Sequence, residues 1–288
     1  GSSNDEVFNE LFSILISRND GGKGQIFESP YFVLYTLGIG LLCLGKQKDN
    51  EFMIETMISM EEFSKEMKDY LKTMLISLSY AGSGNVSKVQ ELMQIIAKSS
   101  EEINPKVQSI AVIGCSLIAI GEEVGCEMLS RSFNHFLQFG DINIKKTVSL
   151  AIALLNLSNP KVTVIDSLTK FCYDSDKTVA MNAIFSMGLV SSGSNHSRVA
   201  GLLRSLAGYY NEETNPLFMV RIAQGLLHMG KGLITLDPVY SHKLLLNSIG
   251  MAGILITLFA FTETEGLMCG KHQFLIFSLS LGMKPKLV

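Results

Sequence analysis

Histidine and cysteine, the residue types that most often bind metal ions or act as nucleophiles, are scattered along this chain. No two histidines follow HxxxH spacing and no two cysteines follow CxxC spacing, so the sequence predicts no metal site. The cysteines are odd in number and most lie in apolar helical patterns, which indicates buried, reduced thiols of an intracellular protein. The residues are His135, His196, His228, His242 and His272, and Cys43, Cys115, Cys126, Cys172 and Cys269.

Three glycine-rich segments, at 21–24, 82–85 and 230–232, are candidates for phosphate binding. None of them matches GxxxxGK[ST] and none follows a predicted strand, so we expect no nucleotide cofactor. The chain also lacks a GxSxG nucleophile motif. An all-helical enzyme would need a pocket of converging polar side chains, and the sequence does not indicate one. The sequence therefore predicts a protein that is not an enzyme and that holds no cofactor or metal.

Acidic residues near the start of the chain are the candidates for binding a partner. Asp5, Glu6 and Glu10 alternate with phenylalanine and leucine, and Glu51 and Glu55 accompany methionine and isoleucine on the next exposed helix. Acidic surface interleaved with methionine and aromatic residues suits a basic partner that has an apolar patch. A charge run more often marks a solvated helix face, and from the residues alone this second explanation is favoured. These five acidic residues are the predicted partner-binding site.

A repeat of about 37 residues supplies the elements that position these side chains. Its turn signal recurs at spacings of 37, 39, 37, 35 and 37 residues, which is typical of stacked helical hairpins that bury their apolar faces against each other. The sequence therefore predicts an all-α fold, an α-α superhelix (solenoid or toroid). The turn residues are Gly45, Gly82, Gly121, Ser158, Gly193 and Gly230.

Each repeat consists of an apolar helix followed, after the turn, by an amphipathic helix. A capping side chain is paired with proline at the first helical position in Ser29-Pro30, Asn104-Pro105 and Asn215-Pro216, and Asp141 and Asp176 are further predicted caps. Seven residues before the turn the residue is small in five of six repeats, as at Gly38 and Gly114. A small residue there allows another helix to approach closely.

Composition and charge exclude several classes of protein. The chain has 288 residues, is 47% hydrophobic and has a mean hydropathy of +0.28, which is ample for a continuous core. A net charge of −3 without a basic stripe argues against nucleic-acid binding. The longest apolar stretch, 249–261, has 13 residues, whereas a membrane span needs about 20. We therefore expect a core helix there and no membrane partner.

Four segments resemble the proteasome/cyclosome repeat family. They are YAGSGN at 80–85, IGCSLIAIGEEVGCEMLSRSFNHFLQFGD at 113–141, SDKTVAMNAIFSMGLVSSGSNHSRVAGLLRSLAGYY at 175–210 and LFMVRIAQGLLHMGKG at 217–232. Within the family they are most similar to the non-ATPase scaffold at the base of the proteasome regulatory particle, and the similarity extends over essentially 5–288. The resemblance implies a toroid of helical hairpins in two concentric rings around axial helices, with this chain as the C-terminal part of the toroid.

The resemblance also implies a function, which is that of a non-catalytic scaffold for ubiquitin-dependent degradation in the cytoplasm and nucleus. Its partners would be the proteasome ATPase subunits, other regulatory-particle subunits, ubiquitin, ubiquitin-like domains of shuttle factors and a deubiquitinase. One ubiquitin-binding helix of the family reads roughly GDITTSIMDNFLER. Placed on Glu6–Arg18, its acidic positions fall at Glu6, Ser13 and Ser17, of which only the first is acidic here.

Two alternatives to this function remain open. One is a generic helical-repeat adaptor of the HEAT or armadillo type, although those repeats run about 40–47 residues. The other is one of the related proteasome/cyclosome scaffold subunits.

The predicted organisation is a single repeat domain over 4–288, after a cloning scar at 1–3. A partial repeat covers 4–28 and a terminal hairpin covers 249–288, and we expect the chain to be a piece of a larger protein. The repeats between them are predicted at about 29–68, 69–103, 104–140, 141–175, 176–213 and 214–248.

Overall fold

The computed structural model describes residues 2–20, 27, 29–47, 54–55, 63–98, 102–239 and 246–286. Most of the structure in these ranges is helical. Two short strands, β1 (Ile234–Leu236) and β2 (Met283–Pro285), pair antiparallel with Thr235 opposite Lys284. The α-helices are α1 (Ser2–Asp20), α2 (Phe32–Leu42), α3 (Lys65–Ser79), α4 (Val86–Ala97), α5 (Pro105–Ala119), α6 (Glu123–Phe139), α7 (Ile142–Leu155), α8 (Val162–Phe171), α9 (Lys177–Val190), α10 (Ser197–Tyr209), α11 (Thr214–Leu227) and α12 (Ser248–Ala260).

The repeat helices form two rows. Helices α2, α3, α5, α7, α9 and α11 pack one on the next and make the inner row. Helices α4, α6, α8 and α10 make the outer row, and each packs on the inner helix that follows it. Helix α9 is buried at every position from Val179 to Val190, whereas α6 buries only Leu129, Phe133 and Leu137. This arrangement confirms the predicted all-α superhelix of helical hairpins.

Two of the five predicted capping residues, Asn104 and Asp176, act as caps. Asp141 precedes α7 but its side chain makes no capping hydrogen bond, and α2 begins at Phe32 with Tyr31, not Ser29, at the capping position. The Oδ1 atoms of Asn104 and Asp176 each accept a hydrogen bond from the backbone N–H two residues further on, at 3.0 and 2.9 Å. The prediction for Asn215 is wrong, because α11 begins one residue earlier, at Thr214, so that Asn215 lies inside the helix. The boundaries between repeats stay a prediction.

Backbone hydrogen bonds join the turns of successive repeats. In four turns the N–H of the turn residue donates to the carbonyl that lies four residues before the next turn residue, at the end of the next inner helix. Each bond ends on one of the last carbonyls of an inner helix, for which the helix itself provides no donor four residues further on. The Leu78 and Leu189 carbonyls also accept an N–H of their own turn, from Ala81 and Ser192. We call this series the turn ladder. Its bonds join Gly45 to Leu78 (3.0 Å), Gly82 to Leu117 (2.9 Å), Ser158 to Leu189 (3.2 Å) and Gly193 to Leu226 (2.9 Å).

The donating turn residues have left-handed backbone conformations. At the three glycines φ lies between +60° and +72°, and at Ser158 it is +52°. Glycine adopts such angles without steric cost, whereas serine does not. The Ser158 hydroxyl makes two bonds that glycine cannot: it lies 2.6 Å from Ser192 Oγ and accepts the Leu236 N–H at 2.8 Å. These bonds tie the turn to the following turn and to β1.

Small residues bring neighbouring inner helices close together. A Cβ added at Gly114 in α5 would overlap the Ser77 side chain of α3. One added at Gly188 in α9 would lie 2.8 Å from the Cα of Ala223 in α11. Close approach is therefore confirmed at Gly114. It is not found at Gly38, where the nearest atom, on Leu11, would lie 3.8 Å away.

The C-terminal segment links parts of the inner row that are not adjacent. Helix α12 packs on α2 and on a 3-10 helix, Gln273–Gly282. Just beyond α12, the Phe261 ring stacks on the Phe185 ring of α9, with centroids 3.8 Å apart. The Asn182 amide of α9 donates to the Phe261 carbonyl at 3.2 Å. The segment therefore connects α2 to α9 across the row.

One helical stretch in the described residues, Ser248–Met268, is long and apolar enough to cross a membrane by length and composition alone. Of its most apolar window, 67% is buried inside the protein. A buried core helix passes the same test, and a single stretch of this kind is weak evidence for a membrane span.

Replacing the glycine of a turn tests the turn ladder. A Cβ at Gly193 would overlap the Ile234 carbonyl oxygen, and φ there is +60°. We expect Gly193→Ala to lower the free energy of unfolding by about 1–3 kcal/mol. The matched control is Gly201→Ala in α10, where the added methyl meets open space. It should raise stability by about 0.5–1 kcal/mol. Urea unfolding followed by circular dichroism measures both, and equal midpoints would contradict this role of Gly193.

Candidate protein-docking site

Helix α1 carries three of the five predicted acidic residues and is held by its apolar side. It packs on α2, and its Phe12 and Leu15 are 9% and 2% exposed. The Phe12 ring makes an edge contact with Phe63, with centroids 5.8 Å apart. Burial of each of these side chains contributes about 1.5–3 kcal/mol. This packing fixes the rotation of α1 and turns its opposite face outward.

The outward face of α1 combines two carboxylates with two aliphatic side chains. Glu6, Glu10 and Ser13 are exposed, and their spacing of four and three residues places them on one helix face. Val7 and Ile14 are 44% and 39% exposed and lie on the other side of Glu10. The Ser13 hydroxyl donates to the Glu10 carbonyl at 2.8 Å, so it is paired within α1. We call these five residues the α1 face.

The predicted residues do not all fall on the α1 face. Glu55 is exposed, and its neighbour Ile54, 8% exposed, belongs to the core. Asp5 lies on α1, and Glu51 lies outside the described residues. Among the predicted residues whose side chains the structure describes, Glu6 and Glu10 are brought together on one surface. A role for Asp5, Glu51 and Glu55 stays a prediction.

Val7 and Ile14 were not among the residues predicted to bind a partner. Their spacing of seven residues puts them on one side of a helix, and they flank the acidic positions. This spacing is visible in the sequence and indicates a shared helix face. It could not show that the two side chains are exposed, because exposure depends on which side of α1 faces α2.

Two of the glycine-rich segments are turns of the repeat. The N–H groups of Gly82 and Gly84 donate to the carbonyls at the end of α5, both at 2.9 Å, so they point into the protein. Gly230 and Lys231 form a left-handed turn after α11. The segment 21–24 lies outside the described residues. Among the residues that the structure describes, no group of three or more His, Cys, Asp or Glu could hold a metal ion.

Burial divides the five cysteines into two groups. Cys43, Cys115 and Cys172 are buried, and burial raises the pKa of Cys115 and of Cys172 to about 12. Cys126 and Cys269 are partly exposed, and burial together with the Glu265 carboxylate raises the pKa of Cys269. The predicted burial of the thiols is therefore confirmed for three of the five.

Comparison with known proteins gives close relatives, although no family model matches the chain. It is 40% identical over 285 residues to the 26S proteasome non-ATPase regulatory subunit 2 homolog A of Arabidopsis thaliana, which covers 99% of this chain and 31% of the relative. It is 40% identical over 288 residues to the 26S proteasome non-ATPase regulatory subunit 2 of Dictyostelium discoideum. This match covers 100% of this chain and 31% of the relative. The 26S proteasome regulatory subunit rpn-1 of Neurospora crassa is 37% identical to this chain over 293 residues. This match covers 100% of this chain and 32% of the relative.

The two rows of stacked helices make the chain an all-α helical-repeat protein of the superhelix class. Over the part that it matches, the chain belongs to the family of the 26S proteasome non-ATPase regulatory subunit 2, or Rpn1. The chain spans about a third of the length of these relatives. The family suspected from the four repeat segments is thereby confirmed.

Alkylation tests the burial of the thiols. With iodoacetamide at pH 8, we expect Cys126 to be labelled at least tenfold faster than Cys115 and Cys172, because a pKa of about 12 keeps the two buried thiols protonated. Raising the pH to 9 should leave both unlabelled. Mass spectrometry of tryptic peptides reports each site. In urea all five cysteines should react at similar rates, and fast native labelling of Cys115 would contradict the packing of α5.

Proposed function

We propose that the chain is part of a non-catalytic scaffold at the base of the 26S proteasome regulatory particle, working in the cytoplasm and nucleus. Two observations support the proposal. The relatives are named as non-ATPase regulatory subunits of the 26S proteasome. A stack of helical hairpins also provides a large, rigid surface of the kind that holds other proteins. The proposed structural partners are the proteasome ATPase subunits and other regulatory-particle subunits.

The proposed cargo partners are ubiquitin chains, the ubiquitin-like domains of shuttle factors and a deubiquitinase. The single observation that carries this part is the α1 face, where Glu10 lies between Glu6 and Ser13 on one side and Val7 and Ile14 on the other. Such a surface fits a basic partner that has a small apolar patch. The carboxylates speed the encounter, and the aliphatic side chains are covered once the partner is bound.

Weak and reversible contacts are sufficient for this role. A scaffold that holds a substrate and a deubiquitinase close together raises their effective concentration without catalysing a step. The α1 face provides few strong contacts, and its charges are fully exposed to screening by salt. The proposal therefore expects affinities that fall as ionic strength rises.

Charge reversal on α1 tests the cargo proposal. We expect Glu6→Arg combined with Glu10→Arg to weaken binding of an isolated ubiquitin-like domain at least tenfold, about 1.4 kcal/mol. Biolayer interferometry at 50 and 300 mM salt measures the affinity. The matched control is Glu102→Arg with Glu212→Arg, which makes the same change of charge at exposed positions outside α1. Unchanged affinity in the α1 variant, or equal loss in the control, would refute the assignment of the site.

Adding a carboxylate to the α1 face is a second test of the same surface, because it should increase the affinity. Ser13 is exposed and lies on the same side of Glu10 as Glu6. Ser13→Asp is expected to strengthen binding of the ubiquitin-like domain about threefold at low salt, because it adds a carboxylate to the face. Ser13→Ala removes the same hydroxyl without adding charge and should leave the affinity unchanged. A similar gain in both variants would mean that the charge is not the cause.

A further inference from the structure

The turn ladder is interrupted at one place. By the rule that holds for the other turns, the Gly121 N–H should donate to the carbonyl of Leu154, four residues before Ser158. Within the described residues no backbone hydrogen bond joins the two, and the Leu154 and Leu155 carbonyls at the end of α7 accept none from a turn. At the equivalent places of α5, α9 and α11 the carbonyls are bonded to a turn N–H.

The interruption follows from the length of the turn. Helices α4, α8 and α10 begin four residues after the turn residue, whereas α6 begins at Glu123, two residues after Gly121. The φ angle of Gly121 is also not left-handed, unlike that of the four donating residues. A turn shortened by two residues does not reach the end of the next inner helix, so a gap opens between the Gly121 and Ser158 turns.

The gap is a cavity of about 580 Å³. Its apolar wall includes Leu154, Leu155, Leu157 and Leu236, and the partly exposed Cys126 borders it. Its charged lining consists of four carboxylates and one ammonium group. These are Glu122, Glu123, Glu127, Asp237 and Lys161.

The chemistry of the lining selects a positively charged ligand that donates hydrogen bonds. Four carboxylates against Lys161 give an excess of three negative charges. The carbonyl of the partly exposed Leu155 adds an acceptor at the C-terminal end of a helix, where the helix dipole also favours positive charge. An anionic ligand would be repelled. The leucine wall adds a requirement for an apolar group, and a cavity of this size takes a few side chains rather than a whole domain.

We propose that the cavity between the Gly121 and Ser158 turns is a docking site for a short, extended peptide of a partner protein. An aliphatic side chain of the peptide packs on the partly exposed Leu155 and Leu157. Lysine or arginine residues on both sides of it pair with the carboxylates of the lining. A peptide N–H donates to the Leu155 carbonyl at the end of α7. None of the α1 residues lines the cavity, so this site and the α1 face are independent.

The first experiment uses three fluorescein-labelled peptides, KRLLKR, KRGGKR and EELLEE, titrated with the protein in fluorescence anisotropy. We expect saturable binding of KRLLKR, at least tenfold weaker binding of KRGGKR and no binding of EELLEE. Glu122→Gln with Glu127→Gln should weaken KRLLKR binding about tenfold. Glu102→Gln with Glu212→Gln, which makes the same change of charge elsewhere, should not. Equal affinity for KRLLKR and KRGGKR, or equal loss in both double variants, would overturn the proposal.

The second experiment tests the location. Inserting Gly-Asn after Gly121 gives this turn the length of the others and should close the cavity. We expect the insertion to abolish KRLLKR binding while the helical circular dichroism stays unchanged. In the unaltered protein, saturating KRLLKR should slow alkylation of Cys126 at least fivefold and leave Cys269 unaffected. Undiminished binding to the folded insertion variant, or unchanged labelling of Cys126, would show that the peptide binds elsewhere.

Discussion

The backbone hydrogen bond from the turn of one repeat to the end of the next inner helix sets the alignment of the stack. Hydrophobic burial is non-directional, so the burial of an apolar inner helix such as α9 does not by itself define the height of that helix in the row. A bond between defined atoms sets that height. It also adds a donor to a helix-end carbonyl. Each hairpin that is joined by such a bond is therefore fixed in height relative to the next.

The positions of the turn ladder are not equivalent, and each exception has a structural consequence. Ser158 takes a left-handed conformation that suits glycine, and its hydroxyl anchors the next turn and β1. The turn after Gly121 is short, and the cavity opens there. A regular repeat thus acquires distinct local surfaces through changes of one or two residues in its turns, while the inner row keeps its packing.

The α1 face depends on the same stack. Phe12 and Leu15 hold one side of α1 against the first inner helix, and this leaves Glu6, Glu10, Val7 and Ile14 outward on a helix that cannot turn freely. The C-terminal segment adds stiffness, because Phe261 and Asn182 connect the end of α12 to α9, far along the row from α2. A surface on a rigid support loses little entropy on binding, which favours the role proposed for this small acidic and apolar patch.

Local patterns were enough to predict the repeat, its turns, the apolar and amphipathic helices and the caps at Asn104 and Asp176, because each depends on residues a few positions apart. Asn215 is not a cap because α11 already begins at Thr214, one residue before it. The hydrogen bonds between turns, the gap after Gly121, the outward rotation of α1 and the link from α12 to α9 required the tertiary structure. They join residues about 30 or more positions apart, or depend on which side of a helix meets a neighbour, and no short stretch of sequence encodes either.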